Sequence, residues 1–260
     1  MPGPLSNRCA WITGAGRGIG RAIAIALASA GARVVLSART ESELRRVAES
    51  IATGGGEAHA IACDVADAEA VRRAFDAAVA ACGRIDILVN NAGFAESAPL
   101  PRTEPDLWNK TLTINLTGTY YCTRAAIGPM VARRTGRIIN IASIAGRVGF
   151  RYTSAYCAAK HGVLGFTRAV ALEVADKGVT VNAICPGWTD TDMTTGSIDR
   201  IVRLTGRSRE DARRQLEQMN PLGRLIQPDE VAAVAVFLAS PEADAITGQA
   251  YNVDGGEVMA

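Results

Sequence analysis

The chain alternates between short runs of aliphatic and β-branched residues and longer alanine-rich segments with helical periodicity. Seven short runs predict strands, at 9–13, 33–37, 58–62, 86–90, 137–141, 180–185 and 249–253. Because apolar strands separated by helix-length segments are typical of βαβ units, the pattern predicts a parallel sheet with helices on both faces. We therefore expect an α/β fold: a doubly wound, Rossmann-type domain around a seven-stranded parallel sheet.

Nothing in the sequence divides the chain further. It contains no internal repeat, no low-complexity tract and no linker rich in proline, glycine or serine, so a single domain over residues 1–260 is expected. The stretch 188–220 lacks strand character and includes charged helical sequence such as 207–218. We expect 188–220 to fold as a mobile lid over a substrate.

Composition and charge narrow the class of partner. With 48% hydrophobic residues the chain can bury a sizeable core, and its 28 basic and 26 acidic residues nearly cancel. There is no basic block of five or six residues, which argues against nucleic-acid and membrane-surface partners. The first residues lack the apolar core of a signal peptide, and no uncharged run approaches the roughly 20 residues of a membrane span. A cytoplasmic protein is expected.

The cysteines and histidines show no spacing typical of a metal site or of a catalytic thiol. The six cysteines form no Cys-x-x-Cys pair, and most lie in apolar strand-like or helical runs, which is typical of reduced core thiols. The only histidines, His59 and His161, are far apart and have no carboxylate at ligand spacing. Neither a metal site nor a catalytic cysteine is expected.

The first predicted strand runs directly into a glycine-rich turn, Thr13-Gly-Ala-Gly-Arg-Gly-Ile-Gly20, followed by a helical stretch at 21–30. Glycines let the backbone turn tightly and approach a pyrophosphate, whose charge then lies against the N–H groups of a helix N-terminus. A glycine-rich turn alone is a weak signal. Its position between a strand and a helix, at the start of a βαβ unit, is the context that indicates a dinucleotide site.

The end of the second strand bears on the choice of cofactor. NAD sites commonly place an acid about 20 residues beyond the glycines, but Ala38 and Arg39 occupy that region here. A guanidinium suits the 2′-phosphate of NADP, and Arg17 in the glycine turn could reach the same phosphate. The acids in 40–43 fit a capping box with Thr40 as N-cap. NADP is therefore the expected cofactor.

Polar residues follow several other predicted strands. Asp64, just past the third strand, could accept from an adenine amino group, although capping the next helix is favoured on spacing alone. The Asn-Asn-Ala-Gly sequence at 90–93 is explained about equally well by a ligand site and by turn chemistry. Asn115 interrupts an amphipathic helix, and Ser143 ends the fifth strand on the ligand side.

Tyr156 and Lys160 lie four residues apart in a predicted helix and therefore share a face. An ammonium ~4 Å from a phenol is worth about 4 kcal/mol at an effective dielectric of ~20, enough to lower the tyrosine pKa from ~10 towards ~7. Such a tyrosine exchanges protons at neutral pH. On its own, this spacing is explained better by two unrelated surface side chains.

Taken together, these motifs resemble the short-chain dehydrogenase/reductase family over nearly the whole chain. The residues that carry the resemblance occur in the family's order and spacing: the glycine turn 13–20, Asp64, Asn90-Asn-Ala-Gly93, Asn115, Ser143, Tyr156-x-x-x-Lys160 and Pro186-Gly187 with Thr189. Individually several of these motifs are weak, but jointly they are highly specific.

The resemblance implies a catalytic set of four residues. Tyr156 looks like the general acid that protonates a carbonyl oxygen during hydride transfer, and Ser143 like the hydrogen-bond donor to that oxygen. Lys160 is expected to hold the nicotinamide ribose and to lower the Tyr156 pKa. Asn115 is expected to position a water that resupplies the proton.

The resemblance also implies how NADPH is held. Glycines of the turn line the pyrophosphate, Asp64 contacts the adenine, Asn91 the adenosine ribose and Thr189 the nicotinamide amide. The full expected set is Gly14, Arg17, Gly18, Ile19, Gly20, Arg39, Asp64, Val65, Asn91, Ala92, Gly93, Tyr156, Lys160, Pro186, Gly187 and Thr189.

Loops after the strands are expected to form a partly apolar substrate pocket from Phe94, Val148, Phe150, Tyr152 and Trp188. Asp190 and Asp192 could suggest paired carboxylates, but N-capping is the favoured interpretation. The helix from residue 154 onwards has little polar circumference and should be buried on two sides. Family members commonly form tetramers through this helix and the C-terminal strand, so a homotetramer is expected.

Within the family, the pattern looks most like 3-oxoacyl reductases and polyketide ketoreductases, which implies an NADPH-dependent reductase of a 3-oxoacyl thioester or polyketide ketone. Acyl carrier protein is a possible partner; Arg134 and Lys177 could help to dock it, although solvated surface charges are the favoured interpretation. Two alternatives stay open: a dehydrogenase of another secondary alcohol (hydroxyacyl-CoA, steroid or sugar), and a non-catalytic dinucleotide sensor. The sensor is disfavoured because Ser143, Tyr156 and Lys160 are all present.

Overall fold

The computed structural model describes residues 3–259, and the seven predicted strands are all present. Their bounds are β1 (Cys9–Thr13), β2 (Arg33–Ala38), β3 (Ala58–Ala62), β4 (Ile87–Asn90), β5 (Gly136–Ile141), β6 (Val179–Pro186) and β7 (Ala250–Val253). They form one parallel sheet in the order β3-β2-β1-β4-β5-β6-β7. The strand order reverses between β1 and β4, where open α/β sheets bind ligands.

Nine α-helices of the described chain surround the sheet. They are α1 (Gly18–Ser29), α2 (Glu41–Thr53), α3 (Ala68–Cys82), α4 (Pro105–Leu112), α5 (Gly118–Ala132), α6 (Ser154–Val174), α7 (Asp192–Thr205), α8 (Arg209–Glu217) and α9 (Pro228–Ala239). A single π-helical turn, Thr113–Thr117, joins α4 to α5. The predicted Rossmann-type fold is confirmed.

The hydrophobic core lies in two layers, one on each face of the sheet. Helices α1, α2 and α9 cover one layer, and α3, α5 and α6 cover the other. Successive strand residues point to opposite layers, so Trp11 lies in the second and Ile12 in the first. The fully buried Trp11 keeps a partner for its indole N–H, because Nε1 donates to Ser37 Oγ at 2.8 Å.

Three predicted helix caps are not formed as expected. Thr40 occupies the N-cap position of α2, but its side chain makes no capping hydrogen bond. Asp64 accepts from Ala66 N, whereas Asp67 caps α3 by accepting from the N–H groups of Glu69 and Ala70. The sequence has two aspartates three residues apart there, and spacing alone did not distinguish them. At α7 the N-cap is Thr191, so neither Asp190 nor Asp192 is a cap.

The segment predicted to form a lid contains helices α7 and α8. Trp188 and Leu225 pack with side chains of these helices in a small apolar cluster of their own. Arg200 of α7 joins the segment to the loop after β4 by an ion pair with Glu96 at 3.4 Å. A second pair, between Arg213 of α8 and Asp190 at 2.9 Å, lies within the segment. Mobility of this segment stays a prediction.

Between residues 3 and 259, none of the helices has both the length and the apolar character needed to cross a membrane.

Candidate active site

The glycine turn lies at the carboxyl end of β1 and opens α1. Gly14 and Gly18 have φ values of 64° and 52°, which side-chain-bearing residues rarely adopt. No side chain caps the N-terminus of α1, so its first N–H groups face the turn without a side-chain acceptor. This geometry is a cradle for an anionic group at a helix N-terminus.

Asn91 holds the glycine turn in shape. Its Nδ2 donates to the carbonyls of Thr13 at 2.9 Å and Gly14 at 3.1 Å. A Cβ at Gly20 would lie 2.2 Å from Gly14 O and 2.4 Å from Asn91 Nδ2, so only glycine fits there. This positioning role for the Asn91 side chain was missed at the sequence level, because it depends on contacts between residues almost 80 positions apart.

Ser143, Tyr156 and Lys160 meet at the carboxyl end of β5. The Tyr156 hydroxyl hydrogen-bonds with Ser143, and Lys160 Nζ lies 5.6 Å from the centroid of the tyrosine ring. Close packing of α6 fixes this geometry: a Cβ at Gly146, in the turn after Ser143, would lie 2.7 Å from Lys160 O. Lys160 is buried, and its Nζ donates to Ile141 O at 2.8 Å.

The predicted lowering of the tyrosine pKa is wrong for this structure. Burial raises the pKa of Tyr156 to about 12, although its hydrogen bond with Ser143 acts in the opposite direction. Burial also lowers the pKa of Lys160 to about 8, because the ammonium is removed from water. The helical spacing could not show how deeply the phenol is buried, and this desolvation is the largest influence on its pKa.

Asn115 lies in the π-helical turn and contacts the loop after β4. Its Nδ2 donates to Phe94 O at 2.7 Å and to Thr111 O at 2.9 Å, and its Oδ1 accepts from Phe94 N at 3.2 Å. A Cβ at Gly93 would lie 3.1 Å from Asn115 Oδ1 and 4.0 Å from Lys160 Nζ, so these two polar atoms flank Gly93. The hydrogen bonds to the main chain of Phe94 and Thr111 therefore occupy the Asn115 side chain.

The residues predicted to surround the adenosine end lie at the carboxyl ends of β2 and β3. Arg39 directly follows β2 and is exposed, and Asp64 is exposed two residues after β3, with Val65 buried beside it. Arg17 is also exposed, with one guanidinium nitrogen 3.6 Å from Asp192 at the start of α7. No sequence pattern predicted this contact between the glycine turn and the lid segment.

At the other end, β6 finishes in Pro186, and Gly187 continues the ladder by donating to Val253 O at 3.0 Å. Thr189 is buried, and its Oγ1 donates to Gly187 O at 3.0 Å. Thr191 lies over the glycine turn, because its Cγ2 would be 3.3 Å from a Cβ at Gly18. The glycine turn and the β6 end therefore face one another along the same sheet edge.

The predicted pocket residues all belong to loops at this edge, but they differ in exposure. Phe94 and Phe150 are half-buried, and Val148 lies beside them in the loop before α6. Tyr152 is 60% exposed and adopts a φ of 66°. Trp188 packs against the α7–α8 cluster, so part of its ring serves the folding of the lid segment.

Arg134 and Lys177 lie far from this site within one chain. Arg134 precedes β5 and Lys177 precedes β6, so both are at the amino edge of the parallel sheet, opposite to Tyr156. Arg134 is exposed and Lys177 is partly exposed, which agrees with the favoured interpretation of both as solvated surface charges. A role in docking a carrier stays a prediction.

A buried polar network, which no local sequence pattern predicts, lies beneath the site. Asn90 Nδ2 donates to Thr123 Oγ1 at 3.0 Å and to Asn140 Oδ1 at 2.8 Å. Asn140 Nδ2 in turn donates to Thr167 Oγ1 at 2.8 Å. The network ties β4 and β5 to α5, which follows the π-helical turn with Asn115, and to α6, which carries Tyr156. It therefore supports the site from below.

The fold and the site together define a dinucleotide-binding protein with a tyrosine, a serine and a lysine beside the cofactor cradle. A family model described as Enoyl-(Acyl carrier protein) reductase matches residues 14–257. A "3-oxoacyl-[acyl-carrier-protein] reductase" of Synechocystis sp. is 43% identical over 98% of both chains. A "D-beta-hydroxybutyrate dehydrogenase" of Cupriavidus necator is 38% identical over 98% of this chain and 99% of that protein.

A solved structure of actinorhodin polyketide ketoreductase with NADPH superposes with a TM-score of 0.94, at 39% identity and with 99% of each chain covered. The chain belongs to the short-chain dehydrogenase/reductase family.

Proposed function

We propose that this protein is an NADPH-dependent reductase that converts the ketone of a 3-oxoacyl thioester, or of a related polyketide, to a secondary alcohol. The observation that carries the proposal is the Ser143–Tyr156 hydrogen bond with Lys160 beside it, at the sheet edge that also holds the glycine cradle. A dinucleotide sensor that catalyses no reaction does not require a tyrosine positioned to transfer a proton to a substrate.

The residues present fit a dinucleotide. Gly14, Gly18 and Gly20 leave space that a Cβ would fill, and the N-terminus of α1 offers its N–H groups to a pyrophosphate. NADPH, when bound there, supplies the hydride for the reduction. Ala38 and Arg39 at the end of β2 favour a 2′-phosphate, because no acid directly follows this strand to repel it.

Tyr156 acts as the general acid in this proposal. Its pKa of about 12 keeps the phenol protonated across the physiological range, so the proton is available to the carbonyl oxygen. Ser143 Oγ accepts from Ala145 N at 3.1 Å and hydrogen-bonds with the Tyr156 hydroxyl. When a ketone enters the site, the serine hydroxyl is proposed to turn its proton to the ketone oxygen as charge develops there.

Lys160 and Asn115 complete the set. Lys160 is anchored by Ile141 O, and its charge stabilises the tyrosinate that remains after proton transfer. The Asn115 side chain fixes the main chain of Phe94, so its contribution to proton supply is to hold the loop and the π-helical turn in register. Asn115 is thus proposed as a positioning residue.

The substrate class is proposed from the relatives. Both the Synechocystis reductase and the actinorhodin ketoreductase bear names that place a 3-oxoacyl or polyketide ketone at the reacting position. Phe94, Val148, Phe150, Tyr152 and Trp188 are proposed to line the acyl side of the pocket. The α7–α8 segment is proposed to act as its lid, with the Arg200–Glu96 pair joining the lid to the pocket loop.

The deciding experiment is steady-state kinetics with NADPH and NADH against 3-oxoacyl thioesters on coenzyme A and on acyl carrier protein. The panel includes free 3-hydroxybutyrate in the oxidising direction, since the Cupriavidus relative bears the name of a 3-hydroxybutyrate dehydrogenase. NADPH-dependent turnover of the thioesters is expected. Preferential oxidation of 3-hydroxybutyrate would favour a dehydrogenase, and NADPH binding without turnover of any substrate would leave only a sensor.

Tyr156→Phe tests the mechanism itself. Removing the proton donor should lower kcat by about 10²- to 10⁴-fold while leaving the Kd for NADPH nearly unchanged. Tyr251→Phe, which removes a phenol hydroxyl from β7 outside the site, is the matched control and should keep full activity. Equal activity of Tyr156→Phe and the parent would refute the assignment of Tyr156 as acid.

A further inference from the structure

A second cavity, of about 300 Å³, opens at the amino edge of the sheet, opposite to Ser143 and Tyr156. It lies where β1, β5 and β6 begin, below the loop that leads into β7. Its polar lining comes from Arg8, Arg134, Arg137, Thr135, Thr180, Thr247 and Asp244. The proposed reduction uses none of these residues.

The charges around this cavity do not balance. Three guanidiniums line it against the single carboxylate of Asp244, which pairs with Arg137. Arg8 lies 3.8 Å from Asp86, but that carboxylate already has Arg84 at 3.0 Å. Arg8 therefore shares the buried Asp86 carboxylate with Arg84, and the cavity lining keeps a net positive charge.

Arg137 supplies the buried part of this positive charge. Its side chain is 12% exposed, and its Nε has no hydrogen-bond partner. Burial lowers the pKa of Arg137, and the nearby Arg8 acts in the same direction. Because a second anion at this point would pair with both guanidiniums, the arrangement favours an anionic ligand.

The backbone holds Arg134 in place. Arg134 has a φ of 54°, and its Nη2 donates to Asp176 O at 2.6 Å. A Cβ at Gly178 would lie 2.2 Å from Arg134 O, so the turns before β5 and β6 are packed tightly against each other. The arginine is thus presented from a fixed turn, although glycine would be the more favourable residue for this φ.

Hydroxyl donors complete the lining. Thr135 Oγ1 accepts from Arg8 Nη1 at 3.3 Å, and Thr247 Oγ1 accepts from Val181 N at 3.1 Å. Each oxygen uses a lone pair in these bonds, so each threonine retains its own proton for donation. Guanidinium forks together with hydroxyl groups match the oxygens of a phosphate better than those of a single carboxylate.

We propose that this cavity, the amino-edge cavity, is a binding site for a small molecule through its phosphate group. The site is separate from the glycine turn and the N-terminus of α1, which would hold the cofactor's phosphates at the opposite edge of the sheet. The proposal is independent of the substrate of the reductase and does not depend on turnover.

Isothermal titration with inorganic phosphate, with and without saturating NADPH and at constant ionic strength, tests the site. Arg8→Gln combined with Arg134→Gly removes two guanidiniums while giving the left-handed turn its preferred residue, and should weaken phosphate binding about 10-fold or more. Asp244→Asn removes the competing carboxylate and should tighten binding. Arg45→Gln with Arg72→Gln makes the same change in net charge on α2 and α3 and should leave the affinity unchanged.

Three results would each overturn the proposal. The first is that the parent protein does not bind phosphate in the presence of NADPH. The second is that the cavity variant and the α2–α3 control lose equal phosphate affinity. The third is that Asp244→Asn binds phosphate more weakly than the parent. Circular dichroism and thermal unfolding of each variant establish that the cavity variants are folded before their affinities are compared.

Discussion

At the residue scale, the ionisation of Lys160 and Tyr156 governs how the proposed reduction depends on pH. Lys160 is charged below its pKa of about 8 and neutral above it, whereas Tyr156 keeps its proton up to about 12. A rise in pH through 8 therefore removes the ammonium while the proton donor is still intact. The kcat/KM for ketone reduction, which reports the ionisation of the free enzyme, should fall above pH of about 8.

The measurement is kcat/KM from neutral pH to the alkaline limit of protein stability, together with ultraviolet difference titration of the tyrosines. Subtracting the titration of Tyr156→Phe isolates the single phenol, which should ionise only near pH 12. A phenol that titrates near neutrality, or a rate that stays constant well above pH 8, would contradict this assignment.

Cofactor choice is also decided by single residues. Ala38→Asp with Arg39→Ala places an acid where the ribose 2′-hydroxyl of NADH is held and removes the guanidinium proposed for the 2′-phosphate. Charged hydrogen bonds of this kind are worth about 1.5–3 kcal/mol, so the ratio of kcat/KM for NADPH to that for NADH should fall by at least about 10-fold. Arg45→Ala, on α2 next to this region, serves as the control; an unchanged ratio in the double variant would exclude Arg39 as the phosphate ligand.

At the scale of elements, the buried amides join the strands to the catalytic helix. Asn140 accepts from Asn90 and donates to Thr167, so it links β4 and β5 to α6. Asn140→Ala removes one hydrogen-bond partner from each of two buried groups, Asn90 Nδ2 and Thr167 Oγ1, and leaves a small cavity. It should reduce the free energy of unfolding by about 2–4 kcal/mol in urea titrations. The exposed Asn109→Ala on α4 should change it by less than about 0.5 kcal/mol. A similar small change for Asn140→Ala would mean that the network is dispensable.

The strands could be predicted from the sequence, whereas the buried polar network and the ion pair between the glycine turn and α7 could not. The strands and the glycine turn are local patterns, and all seven strands fall within one or two residues of their predicted bounds. The Asn90–Asn140–Thr167 network and the Arg17–Asp192 pair join residues that are distant in sequence. No local sequence pattern predicts such contacts. The direction of the Tyr156 pKa shift could not be predicted either, because the burial of the phenol depends on the packing of the whole chain.

At the scale of the whole molecule, the outer face of α6 includes several small residues. Ala158, Gly165 and Ala169 are exposed along it, and Leu172 at its end is 83% exposed. Such a face allows a second helix to approach closely, and an exposed leucine favours burial. This face supports the proposed homotetramer, which should have a mass of about 109 kDa, four times the 27.2 kDa of one chain.

Gly165→Arg tests the assembly without disturbing the subunit. A Cβ at Gly165 meets no atom of its own chain within 4 Å, and replacing glycine within a helix adds about 1 kcal/mol of helix stability. The variant should therefore fold but keep other subunits away from α6, so light scattering should show a smaller assembly. Gly196→Arg, equally free of neighbours within 4 Å but on α7, should retain the mass of the parent. A tetrameric Gly165→Arg, or a parent protein that is a 27.2 kDa monomer, would show that α6 is not an interface.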